Sequence, residues 1–456
     1  MGRFLFKRKA SAAIKEPSKK ASKKKALAEE EVFSDDDFSD NEARVLEYSD
    51  GEYEDVQAKA HRQAKELLKS LESEAKDEET GEVDTEAIAH RLEEDALVKS
   101  HRLHRELADS LIIEDDATSA FTVHRYSVIA AVLCPKGRYI VSCGKDGIIA
   151  KYDTETDEVR RIQYFHKNAD NHKGSINALA ISPDSKWLVT GGADNLIKIW
   201  DFETLRHVHE FRGHRGEVTS LVFRLDSSSE LFSGSKDRSV KAWNLDQFGY
   251  VDTSYGHQDA VAQIDMLRKP RVLSIGCHDK TARFWKIDTE SQLIFNGHKH
   301  SISIDTCALI NEDHFVTGSA DGSLCIWSVA KKKPVTTVRE AHGKTDDCPN
   351  WIVSVAAAKY SDLIASGSCD GWIRFWKVSA DYKAVTEMQK FQQDGFINDI
   401  KFSLDNTRLI VSCGQEHKCG RWWKIANGRN IILDIDLAFG EKTKAVTEGE
   451  RDSDKG

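Results

Sequence analysis

The 456-residue sequence lacks the features on which most membrane proteins and enzymes depend. No apolar run approaches the ~20 residues that a bilayer-spanning helix needs. The start, Met-Gly-Arg-Phe-Leu-Phe-Lys-Arg-Lys, is too short in apolar residues for a signal peptide, and Phe6 stands where N-myristoylation wants Ser or Thr. The nine cysteines are an odd number and scattered, with no CxxC pair and no His at zinc spacing. That argues against a disulfide framework and for a reducing compartment. Cys134, Cys143 and Cys325 fall in strand-like runs, where a thiol packs as a small apolar group. There is no Gly-rich phosphate loop, no metal-ligand cluster and no lone nucleophile–base pair. The expectation is a soluble intracellular protein without metal, cofactor or catalysis.

What is present is unevenly spread. Residues 1–28 carry ten Lys/Arg and one Glu, and residues 29–55 carry thirteen Asp/Glu and one Arg. Ser119 to Leu437 holds 41 basic against 39 acidic residues, so the net charge of −10 resides in the arm. Lys7-Arg8-Lys9, Lys19-Lys20 and Lys23-Lys24-Lys25 read as clusters that a nuclear import receptor can grip. Ser34, Ser39 and Ser49 each precede a carboxylate by three residues, which suits an acid-directed kinase. With so little apolar content this stretch is not expected to fold alone.

Self-similarity dominates the rest. A unit Ser/Thr-Gly-x-x-Asp-x-x-x-x-x-Trp recurs with its Asp at Asp146, Asp194, Asp237, Asp279, Asp321 and Asp370. An aromatic follows each by six residues, at Tyr152, Trp200, Trp243, Trp285, Trp327 and Trp376. A seventh copy has His417 in the Asp slot and Trp423 after it. Some thirty residues before each aromatic lies a His: His124, His172, His214, His257, His298 and His342, with Gln393 in the last copy. Steps of 42 to 49 residues match the ~40–45 of a four-stranded propeller blade. The pattern resembles WD-repeat proteins and predicts an all-β, seven-bladed propeller. In that family such residues form a hydrogen-bonded tetrad in each blade. A hydrolase triad would occur once, whereas packing residues must recur together. The expected structural sets are His172, Thr190, Asp194 and Trp200; His214, Ser233, Asp237 and Trp243; and His257, Ser274, Asp279 and Trp285. Two more are His298, Thr317, Asp321 and Trp327; and His342, Ser366, Asp370 and Trp376.

The expected organisation is a disordered basic-then-acidic tail over 1–55, a helical arm over 56–118, the propeller over 119–437 and a disordered tail over 438–456. In the arm, Ile88, Leu92, Ala96, Leu103, Leu107 and Leu111 recur at helical spacing, predicting a helix from Thr85 to Ile113. Its cations Arg91, Lys99, Arg102 and Arg105 are candidates for docking on RNA or on a partner protein. Asn430 to Leu437 reads as the outer strand of blade seven, with Ala120 to Val123 able to join that blade and close the ring.

Blade seven carries a narrower resemblance. Gly395-Phe396-Ile397-Asn398-Asp399-Ile400, then Gly414-Gln415-Glu416-His417-Lys418-Cys419-Gly420-Arg421-Trp422-Trp423-Lys424, is similar to the U3 small nucleolar RNA-interacting WD-repeat family. Ile88-Ala89-His90-Arg91-Leu92-Glu93 and Gly256-His257-Gln258-Asp259 add to the likeness, which runs from about residue 56 to 437. It implies a core protein of the U3 box C/D ribonucleoprotein, bound at the box B/C element beside a kink-turn-binding protein. It also implies other small-subunit processome proteins as partners, a role in pre-rRNA processing, a nucleolar address and no membrane.

Turns after second strands and loops entering the next blade share one propeller face. Lys145, Lys173, Arg212, Arg215, Lys236, Arg238, Lys280, Lys299, His300, Lys418 and Arg421 are expected there as a basic ring. Because blade seven surrenders its tetrad at Gln393 and His417, Gln415, Lys418 and Arg421 are the leading RNA-contact candidates. His417, Arg238, Lys299 and His300 follow. The competing expectation is a nuclear protein-interaction scaffold without direct RNA binding. A ubiquitin-ligase substrate receptor would favour Trp-Asp-x-Arg after a blade, and only Trp200-Asp201 begins that way, ending on Glu203.

Overall fold

The computed structural model describes residues 97, 104–113, 118–162, 171–297, 301–345 and 347–440. Within them short strands of Val, Ile, Leu and aromatics alternate with turns, and seven antiparallel four-stranded sheets result. Blade two shows the pattern: Ile176–Ile181, Trp187–Gly192, Ile197–Asp201 and His207–Phe211 run in order from the axis outward. The inner strands of successive blades pack against one another around the ring, blade seven against blade one. Apolar side chains of adjacent sheets meet in the seams. Val189, Ile197, Ile199 and Phe211 of blade two, for example, pack with Val218, Leu221 and Leu231 of blade three.

Each turn after a second strand has a residue in the left-handed region immediately after the tetrad Asp. These are Gly147, Asn195, Arg238, Lys280, Gly322 and Gly371, with φ between 57° and 78°. Gly and Asn enter that region cheaply, whereas Arg and Lys do so at a cost.

Blade seven departs from its expected layout. Its inner strands are Phe396–Phe402 and Arg408–Gly414, but the third is Ile431–Asp436. Asn430 to Leu437 is therefore not the outer strand. That position is filled by Thr118–Phe121, paired Thr118 to Ile435 through Phe121 to Ile432. The start of the ring thus closes its end, which removes an open sheet edge. Phe121 seals the joint against Tyr152 of blade one at 3.9 Å between ring centroids.

The expected helix from Thr85 to Ile113 does not reach its end. Leu97 is helical, but Arg105 already bridges Ser361, Ala108–Ser110 is a 3₁₀ turn, and Leu111–Ile112 is a strand. That strand pairs with Ala438–Phe439, so the first residues of the expected C-terminal tail are ordered. The helical pattern loses here because this strap finds better partners on blades six and seven. Asp362 accepts the amides of Leu107 (2.7 Å) and Ala108 (3.1 Å), and Leu111 packs among Ile400, Leu409 and Leu437.

Candidate nucleic-acid interface

The tetrads form as a relay. In blade two the Trp200 indole N–H donates to Thr190 (2.9 Å), Thr190 meets His172 Nε2 (2.8 Å), and His172 Nδ1 meets Asp194 (3.0 Å). The same relay links Trp243, Ser233, His214 and Asp237, then Trp285, Ser274, His257 and Asp279, then Trp376, Ser366, His342 and Asp370. In blade five Trp327 donates to Thr317 at 2.9 Å, while His298 lies outside the described residues. Blade one keeps His124, Ser142 and Asp146, but the Tyr152 hydroxyl turns to Asp157. Burial raises the Asp279 carboxyl, yet the His257 bond and the Thr281 amide outweigh it and hold the group at about 2. In blades two, three, four and six each tetrad member is hydrogen-bonded to its neighbours in the relay.

Blade seven has no such relay. The Ser412 hydroxyl is buried without a partner, and the Gln393 side chain turns to the Asp394 carbonyl. The aromatic slot is also empty of an aromatic. Asp434 pairs there with Ile410, as Trp200 pairs with Leu188, and it forms a fork with Arg408. Trp423 is therefore not the tetrad aromatic, and Arg421-Trp422-Trp423 is not a strand. Residues 415–430 instead form a long loop, held at its base by the Asn430 side chain on the Gln415 amide (2.9 Å) and by the Ile425 amide on the Gln415 carbonyl (2.9 Å).

Each candidate in that loop has a distinct fate. Gln415 is spent on the loop itself, its amide donating to the Gly428 carbonyl at 2.8 Å. Lys418 turns inward and donates to the Val353 carbonyl of the innermost strand of blade six at 2.9 Å. His417 is buried to 1% exposure, its ring stacked on Trp351 at 4.2 Å, with Phe396 and Trp422 each 5.7 Å away. Its Nδ1 accepts the Cys419 amide at 3.1 Å, while Nε2 has no partner. Burial, then Lys418 and Lys145, push its pKa down to about 3, so the ring is neutral. An unpaired buried donor costs ~1–3 kcal/mol. Of these candidates only Arg421 projects outward, 62% exposed at the side chain, 3.6 Å from the Glu416 carboxylate and with its guanidinium 5.1 Å from the Tyr126 ring centre.

The basic ring is thinner than its sequence count. Lys145 is 7% exposed and tied to the Gly420 carbonyl (2.6 Å) and Glu416 (3.3 Å). Lys236 pairs with Glu217 at 2.7 Å, and Arg212 pairs with Glu210. Lys173, Arg215 and Arg238 are exposed. Lys299, His300, Arg91, Lys99 and Arg102 lie outside the described residues. Arg105 sits at the other end of the strands, its amide on the Tyr360 carbonyl in the turn between the first two strands of blade six (2.8 Å), and so does not join Arg421. Sequence reasoning missed Tyr126, and it missed Trp422 and Trp423 as surface groups, 65% and 45% exposed. Two adjacent tryptophans cannot both face one core from a strand of period two, which was the available signal.

Among the described residues one mixed group, Asp259, Cys277 and His278, brings metal-ligand atoms within 4.8 Å of one another. Burial and the Asp305 charge keep the Cys277 thiol protonated, which disfavours ligation there.

Comparison with known proteins agrees with this geometry. The WD domain, G-beta repeat family matches residues 117–153, 164–201, 205–244, 289–328 and 333–377. The human U3 small nucleolar RNA-interacting protein 2 is 36% identical, covering 84% of this chain and 82% of its own. The chain belongs to the U3 small nucleolar RNA-interacting WD-repeat family. An Arabidopsis thaliana U3 snoRNP-associated protein-like member is 32% identical over 86% of this chain and 88% of its own. The solved structure of RRP9 WD40 repeats superposes with a TM-score of 0.69 at 38% identity, covering 72% of this chain and all of that one. The blades left unmatched by the general repeat pattern include the seventh, where this chain has the 415–430 loop in place of the tetrad.

Proposed function

We propose that this chain is a non-catalytic core subunit of the U3 small nucleolar ribonucleoprotein. It binds the box B/C element of U3 snoRNA and acts in small-subunit processome assembly and pre-rRNA processing, in the nucleolus. Its partners are the box C/D core proteins, including the kink-turn-binding protein, other processome proteins, and an import receptor for the basic clusters. The family membership supports this reading, and a relative in Saccharomyces cerevisiae carries the name Ribosomal RNA-processing protein 9 at 27% identity over 87% of this chain. The observation that carries it is the blade-seven loop. There a buried relay is exchanged for exposed Trp422 and Trp423 and for Arg421 over Tyr126, the mixture of cation and flat ring that suits single-stranded or looped RNA.

The scaffold reading keeps one observation in its favour: Lys145, Lys236, Arg212 and Lys418 are already paired inside the protein. Crosslinking in cells followed by sequencing of bound RNA separates the two. Enrichment of U3 snoRNA is expected, and recovery of only messenger RNA, or of none, rejects direct U3 binding.

A further inference from the structure

His417 poses a question that packing does not answer. With Nδ1 accepting the Cys419 amide, the proton of the neutral ring lies on Nε2, and that N–H is sealed in without an acceptor. Native proteins pair most such groups, and this one lies in an aromatic cluster whose outer ring, Trp422, is 65% exposed. Three rings surround the imidazole. Phe396 is fully buried, and Trp351 is pinned by its indole N–H on Asp305 at 2.7 Å. Trp422 is the exposed one, and it lies over Gly420, where a Cβ would overlap the indole. It is therefore the one of the three rings most open to a ligand. Arg421, next to Trp422 in the chain, and Arg125 both put cations at the Tyr126 ring, 5.1 and 5.7 Å from its centre.

We propose that Trp422 and His417 form a receptor for one unpaired nucleobase. The base stacks on the Trp422 indole and accepts the His417 Nε2–H through a ring nitrogen or a carbonyl oxygen, while Arg421 holds the adjoining phosphate. A base inside an A-form helix has both faces covered by its neighbours, so the occupant is a bulged, looped or single-stranded nucleotide. Stacking supplies affinity tolerant of sequence, and the buried donor supplies discrimination, because a ligand without an acceptor leaves the donor unpaired. The proposal rests on the RNA-binding reading above.

Three hairpin RNAs, each closed by a polyethylene-glycol linker in place of a nucleotide loop, test it against the full chain by fluorescence anisotropy: one with a single unpaired nucleotide, one with an abasic nucleotide at that place, and one fully paired. The unpaired nucleotide is expected to bind about tenfold or more tighter than the abasic one. Trp422→Ala is expected to erase that preference, bringing affinity for the unpaired nucleotide down to that for the abasic one. His417→Phe, which keeps a ring against Trp351, is expected to do the same. Trp422 is exposed, so its variant reports even if the His417 variant loses stability. Equal binding of all three hairpins by the unaltered chain overturns the receptor and leaves RNA binding standing. A preference retained in Trp422→Ala overturns it as well. Failure to bind any hairpin overturns both readings and favours the protein scaffold.

Discussion

Arg238 and Lys280 occupy the left-handed turn position that three sister blades give to glycine. The left-handed backbone conformation costs a non-glycine residue ~1–2 kcal/mol, and an exposed cation at such a place, as Arg238 is, points to use rather than packing. Arg238→Gly is therefore expected to raise stability by about 1 kcal/mol in urea unfolding. It should also lower the slope of log K against log salt for U3 RNA by roughly 0.7–0.9, the loss of one phosphate contact. Arg421→Glu should lower that slope too. Lys418→Ala should not, since its ammonium is bound to the Val353 carbonyl; a lower melting temperature is expected instead. His417 has a pH signature of its own. Its folded pKa, about 3, lies below the ordinary ~6.5, so the unfolded chain binds the extra proton between those values. Stability contributed by the neutral ring is present above about pH 6.5 and is lost as pH falls toward 3. His417→Phe should flatten that part of the stability curve measured by denaturant unfolding.

Two short segments decide how the propeller is held shut. Thr118–Phe121 supplies the outer strand of blade seven, and without it Ile431–Asp436 becomes a bare, apolar edge. Removing residues 1–121 should leave a protein that unfolds at lower temperature and self-associates in size-exclusion chromatography; an unchanged monomer would contradict this closure. The strap over 104–113 is fixed at Asp362, which takes two backbone amides, and at Asp109, which pairs with Lys377. Asp362→Ala should cost about 1–2 kcal/mol by the loss of a cap, read in the same unfolding assay. The closing strand was anticipated at Ala120 to Val123 and lies at Thr118–Phe121, whereas the strap is not apparent from periodicity. Leu103, Leu107 and Leu111 fit a helix as well as they fit an extended strap, and the choice falls to whichever set of partners satisfies more backbone groups. The 415–430 loop was hidden for a related reason. Trp423 stands six residues after His417, as in a regular blade, but its third strand begins only at Ile431.

Across the whole molecule the relays repeat the same chemistry, so their effects should be uniform and structural. Ser233→Ala strands the Trp243 indole and the His214 ring, and a loss of about 1–3 kcal/mol without change in RNA salt slope is expected. Depressed carboxyls at Asp194, Asp237 and Asp279 make folding most favourable above about pH 4, the unfolded value, and weaken it as pH falls toward 2. Asp279→Asn should remove its share of that acid sensitivity. Blade number, strand class and the tetrads of His172, His214, His257 and His342 were legible beforehand because they are written as a period, and a period survives without knowledge of contacts. The identity of blade seven as the exceptional one was legible at Gln393 and His417 for the same reason, as a break in that period. Which side chains there face outward was not. Lys418 and Arg421 are equivalent by charge and spacing, yet one folds onto a carbonyl of blade six and the other reaches water over Tyr126. That difference arises from atoms far apart in the chain, where burial, hydrogen-bond geometry and the reach of a side chain select one outcome. Local pattern carries no record of it. Repetition along the chain thus sets the scaffold, and contacts across the ring set the surface that it presents.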